Sequence, residues 1–184
     1  MTTPAYDQLR AHARETGVLN AVEALLGWDQ ETFMPSAGAA SRAEQSSALA
    51  GIIHERRTDP KLGDLIAACE ADSSLMGDEA SPEARNVREF RRAYDKKTKL
   101  PTSLVAELAR VGSQAQEAWK AARAADDFKA FEPWLVKMMD LTRQKAECYG
   151  VPAGGSCMTR WWTTTSPARR LRRSRRCSPR SVSG

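Results

Sequence analysis

The chain has 184 residues, 41% hydrophobic and 28% charged, enough for one domain with a real core. Nothing approaches the roughly 20 consecutive apolar residues of a membrane span. The formal charge of +5 hides an asymmetry. Residues 156–184 hold eight Arg, no Lys and no acid; removing those eight from the 28 basic residues leaves 20 against 23 acidic ones, a charge of −3 for residues 1–155. A mildly acidic body carries no electrostatic footprint for nucleic acid. The start Met1-Thr2-Thr3-Pro4 has neither a basic nor an apolar leader region, so a cytoplasmic location is expected.

In chain order, Tyr6 to Arg14 and Val18 to Trp28 read as a helical hairpin broken near Thr16-Gly17. Residues 31–38, with Pro35 and Gly38, read as a loop, and Ser41 to Arg57 as a helix. Asp59-Pro60 opens the next helix, Asp59 as N-cap and Pro60 at the first helical position, where its missing N–H is not needed. Ser81-Pro82-Glu83 opens another in the same way, with an apolar stripe of Val87, Phe90 and Tyr94. Pro101 breaks the chain, after which Thr102 or Ser103 can cap a helix. Its apolar face is Leu104, Leu108, Val111, Ala115, Trp119 and Ala122. Asp126-Asp127 ends that helix and starts a last one with the face Leu135, Met138, Met139, Thr142, Ala146 and Tyr149, closed by Gly150. No segment alternates with period two. The fold class is therefore all-α, and Leu108, Trp119 and Leu135 are candidate core residues.

From Ser156 the composition changes to Thr runs, Arg pairs and Ser-Pro pairs, with Leu171 and Val182 the only aliphatic residues. Such a segment cannot build an amphipathic face and is predicted to be disordered. The cysteines Cys69, Cys148, Cys157 and Cys177 form no C-x-x-C pair and read as free thiols, with Cys69 and Cys148 as small buried hydrophobes.

Chemistry is sparse. The two histidines are His12 and His54. His54-Glu55 begins like the H-E-x-x-H of zinc peptidases, but the fourth residue after His54 is Thr58, so the second imidazole is missing. The plainer reading places His54 with Arg56 and Arg57 near the negative end of a helix dipole. There is no phosphate-binding glycine loop and no nucleophile elbow. No catalytic, cofactor-binding or metal-ligating residue is assigned.

The segment Leu25-Leu26-Gly27-Trp28-Asp29-Gln30-Glu31-Thr32-Phe33-Met34-Pro35 resembles the opening of the carboxypeptidase Taq family of metallopeptidases. So do Arg42-Ala43-Glu44-Gln45, Leu49-Ala50-Gly51, His54-Glu55, Thr58-Asp59-Pro60 and Leu62-Gly63. Val87-Arg88-Glu89, Tyr94-Asp95-Lys96, Lys99-Leu100-Pro101, Trp119 with Ala122-Arg123, and Phe131-Glu132-Pro133 with Leu135 follow collinearly, so the resemblance covers residues 6–155. It implies the N-terminal part of a mainly helical hydrolase that releases C-terminal amino acids from peptides and commonly forms homodimers. It also implies a metal, zinc with cobalt or manganese as substitutes, on an H-E-x-x-H helix with a later Glu. Those motifs belong to the C-terminal half of family members and have no match here. The chain is expected to be a truncated metallocarboxypeptidase, inactive alone and leaving apolar faces uncovered.

The tail fits an off-frame translation. Met and Trp have single codons, so in the frame starting on the last base of each codon, Met158–Thr159 forces Asp, Trp161–Trp162 forces Val and Trp162–Thr163 forces Asp. One allowed reading resembles the family's continuation. Two other functions remain open at this point: a helical module that binds nucleic acid or another anionic surface through the Arg-rich tail, and a fragment that pairs with a separately made C-terminal half.

Overall fold

The computed structural model describes residues 3–150. The expected disorder of residues 156–184, their off-frame origin and the nucleic-acid alternative built on them lie outside the described residues. The described residues hold seven α-helices, one 3₁₀ turn and no strand, in line with the all-α expectation. These are α1 (Pro4–Thr32), the 3₁₀ turn (Ser36–Gly38), α2 (Ala39–Thr58), α3 (Pro60–Ala71), α4 (Ser73–Met76), α5 (Pro82–Lys97), α6 (Thr102–Ala124) and α7 (Phe128–Cys148).

Local chemistry sets most boundaries. The Asp59 side chain accepts from the Lys61 N–H at 2.9 Å, with Pro60 beginning α3. Ser81 accepts from the Ala84 N–H and Asp127 from the Ala130 N–H, at the starts of α5 and α7. Asp126 takes a positive φ of 52°, which turns the chain between α6 and α7. Gly150, at φ 75°, follows the end of α7, and its N–H returns to the Glu147 carbonyl at 2.8 Å. At α6 the expectation of a hydroxyl cap fails: Pro101 is the N-cap residue, and no side chain caps the first turn.

The predicted break at Thr16-Gly17 is absent, and α1 runs for 29 residues. The Thr16 hydroxyl is satisfied within the helix, donating to the His12 carbonyl at 2.9 Å. A glycine in a helix interior costs about 1 kcal/mol relative to alanine, and the packing of α1 along both α2 and α3 outweighs that.

α2 and α6 form the central pair, and their buried residues are mostly small: Ala43 and Ala50 on α2, Ala115 and Ala122 on α6. Small side chains let two helix axes approach closely. One core cluster joins Tyr6 and Leu9 of α1, Leu62, Ile66 and Cys69 of α3, Leu75 of α4 and Val87 of α5, with Phe90 and Tyr94 packed against it. A second joins Leu104 and Val111 of α6 to Leu141 of α7, flanked by Leu108, Trp134 and Cys148.

Two expected core residues are corrected. Trp119 is 52% exposed and Leu135 is 37% exposed. Of the face expected on α7, Ala146 and Tyr149 are buried, whereas Met138 and Met139 are exposed and Leu141, not expected there, is buried against α6. Leu108 does flank the second cluster.

Candidate functional site

The polar and aromatic side chains of the W-D-Q-E-T segment are divided between two sides of the last turns of α1. Asp29 and Gln30 face inward. Arg42 of α2 donates to the Asp29 carboxylate at 2.5 Å and, from its other terminal nitrogen, to the Leu26 carbonyl. Gln30 is 4% exposed. Its Nε2 donates to the Ser113 carbonyl at 2.9 Å, and its Oε1 accepts from the Ser113 hydroxyl at 2.9 Å. A longer contact, 3.3 Å, runs from Nε2 to Glu117. Lys120 of α6 donates to the Gln30 carbonyl and to Glu117, both at 2.8 Å. The hydrogen bond from Lys120, ahead of the opposing effect of burial, holds the Glu117 carboxyl below its ordinary range. α1 has no basic residue in its last turn. Lys120 therefore supplies the cation that satisfies one of its terminal carbonyls. Trp28 and Phe33 face outward, both exposed, with ring centroids 5.4 Å apart in an edge-to-face arrangement.

Both histidines bind backbone. His12 Nε2 lies 2.9 Å from the Arg56 carbonyl and His54 Nε2 lies 2.8 Å from the Leu100 carbonyl. A carbonyl oxygen only accepts, so each Nε2 carries the proton. His12 satisfies a carbonyl in the last turn of α2. His54 is 3% exposed and ties α2 to the connection between α5 and α6. Arg56 and Arg57 occupy the last turn of α2, as expected, while the His54 side chain is buried as a donor to backbone. Glu55 points outward and is exposed. A structural or catalytic zinc ion needs at least three converging protein ligands. Among the described residues no group of three His, Cys, Asp or Glu could hold a metal ion, so these residues do not fit one.

What the described residues do present is apolar surface. On α1, Val18, Val22 and Leu25 follow the i, i+4, i+7 spacing of one helix face, and all three are exposed. Trp28 and Phe33 extend that apolar run. On α7, Leu135, Val136, Met138 and Met139 are exposed. Sequence periodicity located apolar positions on α7 but not which of them meets α6. On α1 the hairpin reading obscured a single long face.

The helical architecture has known counterparts. The crystal structure of BsuCP superimposes with a TM-score of 0.80 at 20% identity, over 90% of this chain and 32% of that one, which speaks for the fold. The M32 carboxypeptidase from Deinococcus radiodurans R1 is 38% identical with a TM-score of 0.59, over 80% of this chain and 29% of that one. In sequence, thermostable carboxypeptidase 1 of Thermus thermophilus is 42% identical over 143 residues, 78% of this chain and 28% of the relative. Residues 8–155 match the carboxypeptidase Taq (M32) metallopeptidase family, and the chain belongs to that family. It spans 28% of the length of the curated relative from Thermus thermophilus. Among the described residues no helix is long and apolar enough to cross a membrane.

Proposed function

We propose that this chain provides the N-terminal helical part of a metal-dependent carboxypeptidase that hydrolyses peptides from their C-termini, and that it does not cleave peptides by itself. The observation that supports this is the pairing of a collinear family match over residues 8–155 with a described region in which no metal ligands converge. Both imidazoles are committed to backbone carbonyls that hold helices together. The ion, zinc with cobalt or manganese as substitutes, then belongs to residues that family members carry beyond this portion. The part played by residues 3–150 is mechanical. The Asp29–Arg42 and Gln30–Ser113 contacts lock α1 onto α2 and α6. The exposed apolar residues of α1 and α7 form the surface on which the remainder of the fold docks.

Residues 156–184 are read as off-frame translation past the codon for Gly155; the family match ending at Gly155 supports that boundary. Sequencing the locus tests it: a single-base change that restores a long frame with an H-E-x-x-H is expected, and its absence refutes the reading.

A chimaera tests the functional proposal. Residues 8–155 replace the corresponding segment of the Thermus thermophilus relative, and metal-dependent release of C-terminal residues from a peptide is followed. Activity in the chimaera and none in the 184-residue chain is the expected result. A folded chimaera without activity, or an active 184-residue chain, overturns the proposal.

A further inference from the structure

A half-open cleft of about 380 Å³ lies between α1 and α5, beside the His12 and Thr16 contacts and the first core cluster. That volume is within the range of small-ligand sites, which are mainly apolar with a few placed polar groups. Its apolar wall is Leu62 of α3 with Phe90 and Tyr94 of α5. Its polar rim is Arg57 of α2 and Lys97 of α5.

The charges at this rim are unbalanced. Arg57 donates to the neutral Asn20 amide at 3.0 Å, and no carboxylate lies at ion-pair distance from it among the described residues. Lys97 is half-buried. Burial first, then the neighbouring Arg57, Lys145 and Lys96, push its ammonium below the usual range, and Glu23 opposes them least. Lys96 is itself turned to the Tyr149 ring, 5.5 Å from the centroid. Partial desolvation among like charges disfavours the charged form of the ammonium, and an anion placed beside it would restore that form.

The third observation is Gly17. It lines the cleft in the interior of α1, where glycine weakens a helix. A Cβ at this position would meet nothing within 4 Å. No neighbour among the described residues requires the glycine, and the vacancy it leaves opens into the cleft.

We propose that this cleft binds a small organic anion with an apolar body, an aryl or medium-chain carboxylate. Its head lies between Lys97 and Arg57 and its body against Leu62, Phe90 and Tyr94. The carboxylate supplies the negative charge that the rim lacks, and the flat or linear body fills the space beside Gly17. This site does not rest on the peptidase reading, because it requires no metal and no residue outside 3–150.

The test is isothermal titration of the full 184-residue chain with 2-naphthoate at low ionic strength, beside 2-naphthylmethanol as a neutral match. Saturable one-site binding of the carboxylate is expected, with the alcohol at least about tenfold weaker, the scale of one charge-assisted hydrogen bond. Lys97→Met keeps the apolar stem and is expected to weaken 2-naphthoate about tenfold. Gly17→Leu is expected to fill the cleft and abolish binding. Neither variant is expected to lower the thermal midpoint, since one removes a poorly solvated cation and the other a helix-weakening glycine; if Gly17→Leu does lower it, Lys97→Met alone decides. Absence of saturable binding, equal affinity for acid and alcohol, or parental affinity in Lys97→Met overturns the proposal.

Discussion

Removal of the Gln30 side chain is the sharpest probe of how α1 is held. Gln30→Ala deletes two good hydrogen bonds to Ser113, both at 2.9 Å, and a weaker one to Glu117 at 3.3 Å. At roughly 1 kcal/mol for each good bond the direct loss is about 2 kcal/mol. Gln30 is buried, so a cavity is left where the amide was. The Lys120 contact to the Gln30 backbone survives, while the Ser113 hydroxyl loses its acceptor. The expected total is about 2–4 kcal/mol. Urea unfolding followed by far-UV circular dichroism, at micromolar protein, measures it. Combined with Ser113→Ala in a double-mutant cycle, the hydroxyl-to-amide bond should appear as a coupling of about 1 kcal/mol. A loss below about 0.5 kcal/mol with no coupling refutes the reasoning that this pair clamps α1 to α6.

Gly63→Ala and Gly112→Ala should move stability in opposite directions. A Cβ at Gly63 would lie 2.8 Å from the Tyr94 hydroxyl and 2.9 Å from its ring, so overpacking of about 1–3 kcal/mol is expected; at Gly112 it would meet nothing within 4 Å, and a gain of about 0.5–1 kcal/mol is expected from helix propensity. Thermal midpoints of the two variants check both signs. Glu107 joins α6 to α7 through Lys137 at 3.2 Å and also pairs with Arg110. Arg110 first, and then Lys137, hold its carboxyl below the ordinary range, against the opposing effect of burial. A carboxyl whose pKa is lower in the folded state adds stability that is present above its unfolded pKa of about 4.3 and is lost as pH falls through the folded value. Glu107→Gln should therefore cost less than about 1 kcal/mol at pH 7 and flatten the acid-unfolding curve below about pH 4; an unchanged curve counts against the pair. Replacing Val18, Val22 and Leu25 together by Gln keeps α1 helical and removes its exposed apolar face. The variant chain should self-associate less by light scattering, and the chimaera carrying it should lose stability, since each docked side chain contributes about 1.5–3 kcal/mol. A chimaera that keeps its full stability refutes the docking face.

Helix starts were legible because they depend on a few adjacent residues: Asp59-Pro60, Ser81-Pro82 and Asp127 each bond their own first turn. The family was legible from ordered motifs that the match over residues 8–155 reproduces. What local sequence does not carry is partner choice. Trp119 and Leu135 lie on apolar stripes, yet they stay exposed, because a stripe does not name its partner. The continuity of α1 through Gly17 depends on α2 and α3 beside it. The clamps at Gln30, His12 and His54 join residues 83, 44 and 46 positions apart, a spacing for which no local pattern exists.

The most direct test is to purify the 184-residue chain, measure bound metal by mass spectrometry after equilibration with zinc, and incubate it with a peptide substrate. Metal far below one ion per chain and an intact peptide C-terminus are expected. One tightly held zinc per chain together with stepwise release of C-terminal residues would contradict a purely scaffolding role for these helices.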